Sequence, residues 1–136
     1  MKKFIIFLFS IVLFSSCCKF DYEDPADKFV GEYICSAIAY DNNDMLEYED
    51  TETVYISKVD CDIVYISKLN KEARIYNYDN IIIDDFHIYE GTHYIEYRFE
   101  PGIYVNGLFT IRCNGIDNDG YGKEYFYITL TFKKNR

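Results

Sequence analysis

VYISKVDCDIVYISK, residues 54–68, decides the fold. The pentapeptide Val54-Tyr55-Ile56-Ser57-Lys58 returns ten residues later as Val64-Tyr65-Ile66-Ser67-Lys68. Apolar residues alternate with tyrosine, serine and lysine at period two, the pattern of a strand that buries one face. The unit is written twice and no more, so the pair reads as adjacent strands of a hairpin, not as a solenoid. Folding it about Asp60 sets Val54 opposite Ile66, Ile56 opposite Val64, Tyr55 opposite Tyr65, and Lys58 opposite Asp62.

Working outward, the same chemistry continues in both directions. Upstream, residues 24–31 read as one helical turn, with Asp24 as N-cap, Pro25 at the first helical position and Gly31 as the stop. A strand over 32–40 follows. The segment 41–52 then carries six acids and no base and reads as a loop, at least at its start, whose charges discourage edge pairing.

Downstream, strands are expected over 73–78 and 81–89, divided by Asp79-Asn80, and then from His93 onward. Across the Glu90-Gly91 connection, pairing Phe86 with Ile95 and Ile88 with His93 keeps Phe86, Ile88, Ile95, Tyr97 and Phe99 on one apolar face. His87 and His93 then point to opposite faces, which disfavours a two-histidine metal site. Pro101-Gly102 leads into a strand in which Ile103, Val105, Phe109 and Ile111 share a face, with Gly107 at a bend. The loop 114–122 is rich in glycine and acids, but Phe126 stands where a calcium loop needs its bidentate glutamate, so it reads as a turn. The last strand alternates Phe126, Ile128, Leu130 and Phe132 inward with Tyr125, Tyr127, Thr129 and Thr131 outward.

The N-terminus has a different character. Lys2 and Lys3 precede an apolar run over 4–14 and the small pair Ser15-Ser16, as in a secretory signal; the run is shorter than the ~20 residues a spanning helix needs. Leu13-Phe14-Ser15-Ser16-Cys17 resembles the lipobox of bacterial lipoproteins, with Leu13 one place early and Cys18 as a second candidate. The resemblance implies cleavage before Cys17 and acylation of its thiol. Lys19-Phe20-Asp21-Tyr22-Glu23-Asp24 looks like the export signal of surface-displayed lipoproteins of Bacteroidetes-type bacteria. The expected organisation is a signal peptide (1–16), a lipidated tether (17–24) and a single β domain (25–136). The expected location is the cell envelope, as an outer-membrane lipoprotein displayed at the surface.

The 136 residues carry 14 bases and 23 acids; without Lys2 and Lys3 the balance is 12 against 23, a net of about −11. Such a chain repels phosphate backbones and anionic headgroups, so no nucleic-acid partner is expected and acylation must do the anchoring. The mature chain holds enough apolar material for one core.

About eight strands in so short a chain must hide their edges, and closure into a small antiparallel up-and-down β-barrel does so, an open β-sandwich being the alternative. Phe29-Val30-Gly31-Glu32-Tyr33 is similar to the Gly-x-Trp entry of the lipocalin-like (calycin) domains found in small bacterial lipoproteins. Tyr33 stands in the tryptophan's place. The resemblance implies a basic residue packed on that ring, which sequence alone does not assign, and a lumen that takes a small apolar ligand.

That lumen would be lined by Val54, Ile56, Val64, Ile66, Phe86, Ile88, Phe109 and Ile128, with a solid core as the alternative. A second expectation is an interaction module whose tyrosine-rich exterior, including Tyr55, Tyr65, Tyr94, Tyr104, Tyr125 and Tyr127, meets a protein or a glycan. No enzyme, cofactor or metal is expected. His87 and His93 carry no catalytic motif, and Asp84-Asp85 point to opposite faces. Cys18, Cys35, Cys61 and Cys113 allow three full disulfide pairings, with Cys35–Cys113 one candidate bridge and buried free thiols the alternative.

Overall fold

A computed structural model describes residues 23–135. The expected signal peptide, Cys17, Cys18 and most of the tether lie outside the described residues. The described chain is all-β: one antiparallel sheet of ten strands, curled into a half-barrel. In chain order these are β1 (Gly31–Asp41), β2 (Leu46–Asp60), β3 (Ile63–Ile66), β4 (Lys71–Tyr76), β5 (Asn80–Ile82), β6 (Phe86–Glu90), β7 (His93–Phe99), β8 (Gly102–Ile103), β9 (Leu108–Asn118) and β10 (Lys123–Lys134). Their order across the sheet is β6-β7-β9-β10-β1-β2-β3-β4-β5-β8.

Two expected strands are each broken in two, which raises the count from eight to ten. Ile81 and Ile83 are buried, whereas Phe86 and Ile88 turn inward from the opposite parity, so the chain must leave the strand at Asp84-Asp85. There Asp85 Oδ1 accepts the Phe99 N–H at 2.9 Å. The other break is Asn106-Gly107. Both residues have positive φ, +52° and +82°, and they make a two-residue hairpin turn between Val105 and Leu108. The turn reverses the expected parity. Ile103 and Val105 are exposed, and Tyr104 instead packs on Phe29 and Phe109, with ring centroids 4.9 and 6.4 Å away.

Both hairpin registers differ by two residues from expectation, a slip that leaves every side chain on its face. Ile56 pairs with Ile66, Ser57 with Tyr65 and Lys58 with Val64, with a bulge before Asp60. The tight turn at Cys61-Asp62 sets this register. Lys58 therefore does not meet Asp62; it bridges Asp24 at 2.5 Å and Asp27 at 2.8 Å. Similarly Phe86 pairs with Tyr97 and Ile88 with Ile95, about a turn at Gly91-Thr92.

The acidic segment is a turn at its start, as expected, and strand for the rest. Only residues 42–45 turn; from Leu46 onward β2 hydrogen-bonds to β1. Ladder bonds to a well-patterned neighbour override the low β-propensity of acids. The glycine-rich segment likewise extends β9 to Asn118 and turns only over 119–122.

The helical turn is a 3-10 turn over Asp27–Phe29 with Ala26 at its N-cap, and Asp24 is spent on Lys58 instead of capping. Ala26 N–H donates to the Cys61 carbonyl at 2.9 Å, which docks the entering chain on the β2–β3 turn.

Because neighbouring strands are antiparallel, the turns fall at two ends. The β2–β3, β4–β5 and β8–β9 turns, the 3-10 turn and the end of β10 share one end; the β1–β2, β6–β7 and β9–β10 turns share the other. At the first end the sheet closes on itself. Glu100 N–H donates to the Arg112 carbonyl at 2.8 Å, and Gly102 sits so near β9 that a Cβ would lie 2.9 Å from the Thr110 carbonyl. Phe29, Tyr33, Phe109 and Phe132 are fully buried there in edge and stacked contacts. At the second end no strand lies beyond β6 among the described residues, and the half-barrel stays open.

Candidate functional site

The open end is a consequence of unequal strand lengths. β2 runs fifteen residues, but β3 pairs with it only from Ile56 onward. Among the described residues, positions 46–54 of β2 therefore have β1 on one side and no β neighbour on the other. Across from this free edge stands β6, one of the two terminal strands of the sheet.

Between the two edges lies a cleft of about 290 Å³. Its floor and one wall are apolar: Leu130 and Ile128 of β10, Cys113 of β9, Tyr97 and Phe99 of β7, and Phe86 and Ile88 of β6. Ala37 on β1 supplies little bulk, which makes room. Phe86 is held by its rings as much as by its strand. It stacks on Tyr97 at 4.8 Å and Phe99 at 5.7 Å, with Lys71 Nζ 4.3 Å from its centroid. Higher in the cleft, Phe126 lies on Gly115, where a Cβ would come within 2.0 Å of the ring.

The opposite wall is formed by Tyr48, Lys68 and Leu69. Tyr48, Asp50 and Glu52 of β2 share the inward parity of Val54 and Ile56. Tyr48 O–H donates to Asp50 Oδ2 at 3.0 Å, and this bond raises the tyrosine's pKa. Lys68, on the β3–β4 turn, pairs with Glu52. Burial, the largest single influence, lowers the ammonium's pKa, but the Glu52 hydrogen bond and the negative charges around it together outweigh burial and the net shift is upward. The cleft thus opposes an aromatic wall to one of Tyr48, Lys68 and Leu69, with the acids Asp50 and Glu52 on the same face of β2 beside it.

Of the lumen residues expected from sequence, Phe86, Ile88 and Ile128 line this cleft. Val54, Ile56, Val64, Ile66 and Phe109 lie in the packed core of the closed end, none more than 2% exposed. Sequence reading missed Tyr48, Asp50, Glu52 and Lys68. The alternation of Tyr48, Asp50, Glu52 and Val54 in the acidic run was the signal that could have found the first three.

The expected exterior tyrosines do not form one surface. Tyr104 is inward, and Tyr127 stacks on Tyr40 at 5.2 Å while its O–H donates to Asp44 Oδ1 at 2.6 Å, pushing its pKa up to about 12. The histidines face opposite sides. His87 lies outward, 3.7 Å from Glu96, and His93 Nε2 is 2.5 Å from Asp117 Oδ1. Cys35 and Cys113 are free and buried, not bridged, while Cys61 is disulfide-bonded. Burial pushes the Cys35 thiol up to about 11 and that of Cys113 up to about 12, which leaves neither as a ready nucleophile.

At the closed end, Lys134 Nζ sits 5.9 Å from the Tyr33 ring centroid and donates to the Lys28 carbonyl at 3.0 Å. Tyr33 O–H donates to the Phe29 carbonyl at 2.8 Å. A Cβ at Gly31 would come 2.8 Å from the Lys134 stem, so glycine admits the lysine there. No family model, curated protein or solved structure matches this chain. Fold and cleft together define an antiparallel half-barrel, packed at one end and open at the other.

Proposed function

We propose that the chain is a non-catalytic binding module of the bacterial cell envelope, an outer-membrane lipoprotein held by acylated Cys17, that engages its partner through the open end. One observation carries this reading: the chain enters the domain at the closed end, where Ala26 and Asp24 dock on the β2–β3 turn, opposite the mouth of the cleft. The residues 18–23 span at most ~20 Å when extended. An acyl anchor at Cys17 would hold the closed end against the bilayer and turn the cleft away from it. The two buried thiols and the separated histidines favour binding over covalent chemistry.

A lipocalin-like ancestry is supported by Lys134 on the Tyr33 ring, the basic partner that the resemblance implies at that position. It favours a second reading, a carrier of a small apolar ligand, for which the apolar wall of the cleft would serve. Intact-mass measurement of the protein from its native membrane, under native and denaturing conditions, tests both. Acyl mass on Cys17 is expected. A further mass lost on denaturation would select the carrier, and an unmodified chain retaining Met1 would overturn the anchored reading.

A further inference from the structure

We infer that the cleft accepts an extended polypeptide, alternating apolar and basic side chains, as an added strand along the free edge of β2. The inference rests on the binding reading and specifies its partner. Tyr55 accepts the Ser67 N–H on its carbonyl at 3.1 Å and donates its own N–H to Ser67 Oγ at 3.0 Å, so odd-numbered residues of β2 turn their backbone groups away from β1. Continuing up the strand, Glu49, Thr51 and Thr53 aim N–H and C=O at the cleft edge, where no strand meets them among the described residues. On the far side of the same cleft, β6 is also unpaired along one edge. Backbone bonds of this kind supply affinity in strand addition, and pockets for alternate side chains supply specificity.

Charge selects the occupant. Residues 41–52 hold six acids and no base; Lys68, which faces β2, is already paired with Glu52, and Lys71 lies over Phe86 on the far wall. Like charges directly opposite destabilise strand pairing, so a second copy of this edge is rejected and a lysine- or arginine-bearing strand is favoured. Its outward side chains would meet Glu47 and Glu49. Its inward ones would meet Phe86, Ile88 and Leu130.

The probe is a fluorescein-labelled octapeptide of alternating lysine and valine, titrated by anisotropy into the full mature chain. Tighter binding than its glutamate-for-lysine counterpart is expected, with at least tenfold loss when alternate amides are N-methylated. Thr51→Pro removes one outward N–H while leaving the backbone bonds to β1 in place, losing only the 3.4 Å Ser36 Oγ–Thr51 Oγ1 contact, and should also weaken binding at least tenfold with little change in melting temperature. Equal affinity of the N-methylated peptide, or of Thr51→Pro, would overturn strand addition while leaving a binding cleft. Binding of a fluorescent alkylamine with no peptide binding would likewise overturn the polypeptide and leave the module. Failure of both probes on the folded protein would overturn the binding reading itself.

Discussion

Cys35 and Cys113 illustrate how far single residues are governed by their surroundings. If the chain is exported to an oxidising envelope, a pair of thiols there invites a bridge, yet each is sealed on the inner face of its own strand. Their raised pKa values, about 11 and about 12, set a sign. An unfolded cysteine titrates near about 8.5. The stability contributed by the neutral buried thiols is therefore complete below that pH and is lost as pH rises toward 11–12. The urea midpoint should fall above about pH 9, and less steeply in Cys113→Ala. Both thiols should resist iodoacetamide at pH 8 in the native protein and react once urea unfolds it. Lys134 is a second such case. Lys134→Met keeps the stem but loses the contact with the Tyr33 ring and the bond to the Lys28 carbonyl, an expected cost of about 1–2 kcal/mol in urea titration.

At the scale of elements, the turns decided what strand patterning left open. Burial distinguishes a one-residue slip from the native register but is indifferent to a two-residue slip, and both hairpins settle by two. Asn106-Gly107 is one of two Asn-Gly pairs, and a strong hairpin signal; reading through it as a bend misplaced Ile103, Val105 and Tyr104, whereas Asn114-Gly115 stays within β9. Replacing Asn106 and Gly107 by alanines forces side chains into positive φ at both positions. The expected cost is about 1–3 kcal/mol, seen as a lower thermal midpoint. The 3-10 turn is held by packing, since Phe29 is fully buried against Tyr104 and Phe109. Phe29→Ala should cost about 3–5 kcal/mol in urea titration.

For the whole molecule, the division into a packed end and an open end follows from strand length. Short β3, β4 and β5 close the sheet only where β8 reaches β9, and long β1, β2, β9 and β10 continue beyond them. If acylation holds the entering chain at the membrane, the two ends differ in height above the bilayer. On vesicles bearing a headgroup acceptor dye, a donor at Tyr78 of the closed end should transfer energy strongly. A donor at Tyr121 of the open end should transfer weakly. Equal transfer from both sites would count against the upright orientation.

Period-two alternation was enough to determine an antiparallel all-β domain, the inward faces of β3, β7 and β10, and the separation of the two histidines, because side-chain parity is a local property of the strand. The same local signal placed Phe86, Ile88 and Ile128 on inner faces. Whether an inner face meets packed atoms or open space depends on which strands arrive opposite it. That was decided by the turn at Cys61-Asp62, the break at Asp84-Asp85 and the short reach of β3, which leave the acidic edge of β2 facing β6 across a cleft. Partner strands come from distant parts of the chain, so only the tertiary structure could set the cleft and the charge of its walls.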